Sequence, residues 1–575
     1  MKRVSRSAVT YPRKRAVTAC QICRLRKTKC DNNRPSCSFC LSSGRVCVYD
    51  DSQVDQSKFD PASLAILSQI NVVLSELNTV SSKLDGTSAS NGGKRVIANP
   101  YSLNAAPGVT NMEHVLAWPI YDDVEGIRSL TYDYREHDDK LLETPMLMDV
   151  VDRTKVPELV QQFFHYVHTK NPICNVRVTE HYANEISQTG FGWNFESCII
   201  LLICALGAIA GPAKSEQDRL IATAYFVEAR KRIAFVKHNT LQAAQCYFFC
   251  GMFRMYNIQP VIAWQEFHQA CLILRTFLLM KDDNSDGSKV NGQSEPKSER
   301  RSSTTRHGYT MSVEQRLFWS SLKSETELSL ELCFPTSGLA NIKYPDLFPS
   351  PPTEEEGEID EKAWFFYLTE LMLRRTTDNV INAFYCCEPS EWLTTPTRDL
   401  IDSVKVFEGR LEDCKKSIAS SLQFHYGATP GDELTYVTKG RFVDAYEYLY
   451  RPLVYCAMHG SPDPALRPYV DKYVYYVTTW SDTLADVHRH HGTWYYIRFI
   501  CRVMVVLMGL VKAQVLDRLP VDLDTLMTRC NLLLSRWEGE SPDLSAIKDI
   551  LNTLWMTVSE QSLSPETVRS NPSSV

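Results

Sequence analysis

Six cysteines lie within twenty-eight residues at Cys20, Cys23, Cys30, Cys37, Cys40 and Cys47, in an array C-x2-C-x6-C-x6-C-x2-C-x6-C whose second half repeats the first. A tetrahedral zinc ion takes four thiolate or imidazole ligands, so two ions need eight ligand positions, and six thiolates fill them only if two are shared. The spacing predicts a binuclear cage with two bridging sulfurs and two zinc ions. A disulfide framework is the competing reading of six cysteines. Such scaffolds are short and follow an apolar signal segment, whereas this chain of 575 residues opens Met1-Lys2-Arg3-Val4-Ser5-Arg6.

The two halves of the array differ in charge. Arg24, Arg26, Lys27 and Lys29 fill the interval from Cys23 to Cys30, while Arg45 is the one cation between Cys40 and Cys47. One half is suited to face a polyanion and the other to complete the cage; a purely structural zinc site has no need of so one-sided a distribution. Arg24 to Lys29 contains neither Gly nor Pro and is expected to form a short helix, with Pro35 at the turn between repeats. A short basic helix fits the major groove of double-stranded DNA, where Lys or Arg reads guanine O6 and N7.

Charge along the whole chain supports this division. Residues 1–50 carry twelve Lys and Arg against Asp31 and Asp50, a net +10; with the chain at −6, the remaining residues hold −16. An isoelectric point near 6.2 conceals a basic module whose affinity for phosphates should fall steeply with salt. Arg13, Lys14 and Arg15, following Pro12, read as a nuclear-import patch or an extra phosphate contact, which places the chain in the nucleus. A mitochondrial presequence fits less well, because Pro12 interrupts the stretch and the cysteine motif abuts it.

After a linker at 51–58, apolar residues recur in heptad steps over 59–85. Ile66, Ile70, Val73, Leu77, Val80 and Leu84 form a seam that a helix would bury against a second copy, making the chain a homodimer; packing on the chain's own helical part is the alternative. Residues 86–110 are Gly- and Ser-containing and read as a flexible linker. From 111 to 557 the pattern becomes long apolar-periodic segments with few strand signals, a helical domain large enough for a substantial core. Its clearest helices are expected at 158–168, 197–210, 217–237, 242–255, 262–279, 313–332, 362–384, 441–458 and 494–515. The segment 282–307 is almost without apolar residues and is expected as a disordered insertion, like the tail at 558–575. The fold class is therefore mainly α, with a small zinc-cluster DNA-binding domain, a short coiled-coil segment and a large all-helical regulatory domain.

The stretch Ala19-Cys20-Gln21-Ile22-Cys23-Arg24-Leu25-Arg26-Lys27-Thr28-Lys29-Cys30-Asp31 resembles the fungal six-cysteine binuclear zinc-cluster transcription factors. The resemblance implies that Cys20, Cys23, Cys30 and Cys37 hold one zinc, and Cys37, Cys40, Cys47 and Cys20 the other, with Cys20 and Cys37 bridging. It also implies that Lys27, with Arg26, reads a CGG-like half-site while Arg24 and Lys29 meet phosphates. Farther along, Val115-Leu116-Ala117-Trp118-Pro119-Ile120, Val167-His168-Thr169-Lys170-Asn171-Pro172-Ile173, Glu327-Leu328-Ser329-Leu330-Glu331-Leu332 and Tyr450-Arg451-Pro452, in that order, are similar to segments of the fungal-specific transcription-factor (middle homology) domain. This implies an all-helical regulatory domain without catalysis. The chain is then expected to regulate RNA polymerase II genes, as an activator working with transcriptional coactivators, with a fungal secondary-metabolite gene cluster as one setting. A zinc-stabilised interaction protein that touches DNA only nonspecifically is the alternative.

No catalytic residues are expected, since the chain lacks GxGxxG, a phosphate loop and a Gly-x-Ser-x-Gly elbow. The thirteen other cysteines show no ligand spacing and read as reduced core residues. Asp486, His488, His490 and His491 form a His-rich turn in which capping and core hydrogen bonding are expected ahead of metal binding. No stretch reaches the length of a membrane span; the runs at 198–210 and 503–510 read as buried helices, and no membrane partner is expected.

Overall fold

The computed structural model describes residues 23, 28, 30, 37–43, 109–125, 150–212, 214–286, 303–342, 344, 349, 360–479, 488–516 and 522–563. The chain divides into two compact units, Met1–Ser81 and Ser82–Val575. Among the described residues there is no strand, in keeping with the mainly α expectation. In the first unit one short helix is described, α1 (Ser38–Ser42). The coiled-coil segment 59–85, with Ile66, Ile70, Val73, Leu77, Val80 and Leu84, lies outside the described residues.

Among the described residues the second unit holds helices and no strand. Its first half contains α2 (Met112–Leu116), α3 (Val156–Phe163) continued by a π turn over Phe164–His168, α4 (Val176–Thr189), α5 (Phe195–Ile209), α6 (Glu216–Ile233), α7 (Leu241–Tyr256), α8 (Pro260–Asp286) and α9 (Ser303–Leu332). Its second half contains α10 (Glu361–Phe384), α11 (Pro389–Thr394), α12 (Thr397–Ser417), α13 (Glu433–His459), α14 (Arg467–Thr478), α15 (Thr493–Lys512), α16 (Leu523–Trp537) and α17 (Pro542–Leu563).

Helix starts follow from short polar residues that accept the first free amides. Asn194 takes the Ser197 N–H at the head of α5, Ser215 and Asp218 close a reciprocal capping box on α6, and Asp360 takes the Ala363 N–H at the head of α10. α5 is apolar all round, and every residue from Ser197 to Ile209 is buried among α3, α4, α6 and α7. Its approach to α3 is backbone-close: a Cβ added at Gly207 would lie 2.0 Å from the Leu159 carbonyl oxygen.

α13 is the axis of the second half, touching α10, α11, α12, α14 and α15. Pro452 sits inside it and deprives the carbonyl of residue 448, one turn earlier, of its helical donor. The Tyr385 hydroxyl supplies one instead, donating to the Tyr448 carbonyl at 2.8 Å. Beside this break runs a buried chain of charges. Arg451 donates through Nε to Glu447 at 2.7 Å and through Nη1 to the Thr110 carbonyl at 2.8 Å. Arg502 on α15 bonds Glu331 of α9 at 2.7 Å and Asp444 of α13 at 2.8 Å, and Arg498 reaches Glu113 of α2 at 2.9 Å. Four elements distant in sequence are thereby pinned with a specific register.

Several expectations are corrected. The run at 503–510 is part of α15, which is long and apolar enough to cross a membrane; 78% of its apolar window is buried inside the helical unit, and its two arginines are ion-paired there. α8 continues to Asp286 and α9 begins at Ser303, so helix occupies both ends of the insertion expected at 282–307; residues 287–302 lie outside the described residues. α17 runs to Leu563 and buries Val558, moving the expected tail boundary of 558 outward. Val109 and Thr110, the end of the expected linker 86–110, are buried in the helical unit.

Candidate metal centre and nucleic-acid interface

Cys23, Cys30, Cys37 and Cys40 form one buried cluster, against which Phe39 packs. Cys37 precedes α1 in extended conformation, and its sulfur accepts the Cys40 N–H at 3.4 Å. The C-x2-C spacing at the head of a helix thus turns both thiols to the same side. The Thr28 N–H donates to the Cys23 carbonyl at 3.0 Å.

The sulfurs of Cys23 and Cys37 are 3.6 Å apart, and those of Cys23, Cys37 and Cys40 all lie within 4.8 Å of one another. A disulfide would hold two sulfurs at about 2.05 Å. Two thiolates on one tetrahedral zinc, each about 2.3 Å from the metal, stand roughly 3.8 Å apart. The observed separation fits the edge of a zinc coordination sphere. Thiols packed this closely and shielded from water also match the soft, charge-neutralising donor set that zinc selects.

Of the remaining residues assigned to this site, Cys20 and Cys47 lie outside the described residues, as do Arg24, Arg26, Lys27 and Lys29 and the Arg13, Lys14 and Arg15 patch.

The His-rich turn behaves as a cap. The His490 N–H donates to Thr493 Oγ1 at 3.0 Å, and the Gly492 N–H donates to His490 Nδ1 at 2.9 Å. Burial, reinforced by Lys170, holds the His490 imidazole down to about 3, so the ring is neutral. Its Nδ1 accepts, which leaves the ring proton on Nε2. His488 Nε2 lies 3.3 Å from Glu433, whereas Asp486 lies outside the described residues. The charged groups surrounding this turn were not singled out from sequence. Their available signal was Arg498 and Arg502, one helical turn apart in an otherwise apolar run.

Residues 18–55 match the fungal Zn(2)-Cys(6) binuclear cluster domain. Over 270 residues the chain is 26% identical to a protein of Aspergillus rugulosus assigned as transcription factor ecdB, covering 45% of this chain and 46% of that one. It is 54% identical over 41 residues to transcription factor FBD3 of Fusarium pseudograminearum, covering 7% of this chain and 5% of the other. It is 33% identical over 114 residues to oleate-activated transcription factor 1 of Saccharomyces cerevisiae, covering 19% and 11%. The matched stretches span less than half the length of each of these relatives.

Proposed function

We propose that this chain, which carries a fungal Zn(2)-Cys(6) binuclear cluster domain and whose relatives are transcription regulators, is a nuclear, sequence-specific regulator of RNA polymerase II genes. The observation that carries this reading is the set of buried thiols at ligand-sphere separation, immediately flanked by the basic run Arg24, Arg26, Lys27 and Lys29. Cys20, Cys23, Cys30 and Cys37 would hold one zinc and Cys37, Cys40, Cys47 and Cys20 the other. The nearness of Cys37 to both Cys23 and Cys40 supports its role as a bridge. The ions fix the fold of the loop, and the loop presents the cations to DNA. Lys27, with Arg26, reads a CGG-like half-site; Arg24 and Lys29 meet phosphates.

Elemental analysis of the purified chain should give two zinc ions, and Cys37→Ser should disturb both sites; one ion per chain sinks the shared-thiolate arrangement. On DNA, Lys27→Ala is expected to lose about 1–3 kcal/mol of discrimination for CGG over scrambled sequence, whereas Arg24→Ala weakens both alike and flattens the salt slope by about one. Equal loss on both sequences for Lys27→Ala would instead favour the nonspecific-contact alternative.

Two copies would pair through Ile66, Ile70, Val73, Leu77, Val80 and Leu84, so that Leu77→Asp separates the protomers in sedimentation of the full chain. The helical unit is read as the fungal-specific transcription-factor domain, activating through coactivators. Transcript changes on deletion of the gene identify the genes controlled, with secondary-metabolite clusters the setting to examine first.

A further inference from the structure

A cavity of about 130 Å³ lies within the helical unit between α9, α10, α13 and α15. An engineered apolar cavity of about 150 Å³ admits benzene, so this one has room for a molecule of about one ring. Phe366, Val443, Tyr448 and Phe499 give it an apolar, largely aromatic wall.

Charged side chains reach the lining as well, and each is already matched. Lys323 stands 2.9 Å from Glu370, Arg441 3.1 Å from Glu327, and Arg502 2.7 Å from Glu331 and 2.8 Å from Asp444. Lys170 lies 2.6 Å from Glu433, Arg374 pairs with Asp378, and Lys439 donates to the Ala428 and Thr479 carbonyls at 3.0 and 3.1 Å. An ionic guest of either sign would have to break one of these matches or sit here without a counter-charge. The titrating groups of the lining agree. Burial is the first cause that keeps the His490 and His491 imidazoles neutral, and it is also what holds the Asp444 carboxyl above the ordinary carboxylate range. Glu370 is held down against the same burial by Arg441 and Lys323. The space opposes charge as such, cation and anion alike.

The two imidazoles leave polar atoms to be met. His490 Nδ1 accepts the Gly492 N–H at 2.9 Å, so the ring proton is on Nε2, and no described residue accepts it. His491 Nδ1 is buried and has no hydrogen-bond partner among the described residues. A hydroxyl both donates and accepts, and is the uncharged group suited to this edge whichever tautomer His491 holds.

Gly440 marks the entrance. It sits inside α13, where glycine is a poor helix former, and no close packing requires it, since a Cβ added there would meet nothing within 4 Å. Yet Gly440 is exposed and lines the cavity, so a larger side chain would occupy the opening.

We propose that this cavity binds an uncharged hydroxylated ring of the phenol class, its ring against the aromatic wall and its hydroxyl at the edge formed by His490 and His491. The site goes beyond the DNA-binding reading and does not depend on it, because binding is read without DNA. The test uses the full zinc-loaded chain at neutral pH and thermal unfolding followed by helical circular dichroism, with millimolar phenol, the apolar ring toluene, the anion benzoate and the cation benzylammonium in chloride-matched buffer. Phenol should raise the midpoint and the two ions should not. By calorimetry, toluene should bind at least tenfold more weakly than phenol. Gly440→Leu should keep the helical signal and weaken phenol binding at least tenfold; Gly440→Ala, with the smaller side chain, should keep the fold and weaken it less. No shift with phenol, an equal shift with either ion, toluene binding as tightly as phenol, or phenol binding unchanged in both Gly440 variants would each overturn the proposal.

Discussion

His168 is a neutral imidazole by construction. It is buried, its Nε2 is 3.3 Å from the Cys174 carbonyl, and burial followed by the charge of Arg316 holds it down to about 4. In the unfolded chain it takes a proton near 6.5, so as pH falls below that value the unfolded state binds a proton that the folded state refuses. Stability is fully present above about 6.5 and drains away as pH drops toward 4, on the order of 3 kcal/mol for this one residue. His168→Gln should flatten that part of a urea-unfolding profile measured across pH. Arg451 and Glu447, both essentially without solvent exposure, are a buried pair whose rupture leaves a bare charge. Arg451→Ala is expected to cost about 3–5 kcal/mol of unfolding free energy in the full chain, and a loss below about 1 kcal/mol would show the pair to be dispensable. At this scale the cysteine cage was legible in sequence because its ligands are close neighbours along the chain. The arginine pairs were not, because Arg498 meets Glu113 across 385 residues and nothing local encodes the meeting.

Among the elements, the helices read from sequence were those with dense apolar runs, such as α5, α7 and α15. The short α2 and α11 and the longer α4, α12, α14, α16 and α17 fall outside the expected ranges. α12 buries six side chains of its twenty-one residues, Leu400, Ile401, Val404, Phe407, Leu411 and Cys414, and a stripe that narrow is diluted by the charged face. The start of α13 at Glu433, eight residues before the expected 441, escaped for a related reason, since its first turns are polar and capped by Asp432. Two elements carry tests of their packing. Tyr385→Phe removes the hydroxyl that satisfies the Tyr448 carbonyl beside Pro452, and should cost about 1–3 kcal/mol without altering helix content. Gly207→Ala opposes the ordinary helix preference for alanine: the close approach of α5 to Leu159 should make it destabilising by about 1–3 kcal/mol or more, read as a lowered thermal midpoint.

For the whole molecule, the division into two units has a thermodynamic signature. The first unit has a described core of four thiols and Phe39, whereas the second has an apolar core of its own. Chelation of zinc should therefore abolish DNA binding while leaving the helical circular dichroism nearly intact; a collapse of the helical signal on chelation would mean the units are not independent. The sequence puts its change of charge near residue 50 and a linker at 86–110, whereas the two units divide after Ser81, and the limits of the helical unit depend on contacts made by Val109, Thr110 and Val558 that no composition rule encodes. The ionic chain through Arg502 has one further consequence, and it concerns time. Glu331 and Arg502 are separated by 171 residues, so at roughly 5–20 residues per second of synthesis the carboxylate exists for about 10–30 seconds before its arginine is made. During that interval α9 and α13 carry Glu331, Asp444 and Glu447 with no Arg502 to receive them, and water must remain where α15 will lie. α15 is then a keystone set last, and a nascent chain halted before residue 493 should stay open to proteolysis however completely its earlier helices have formed.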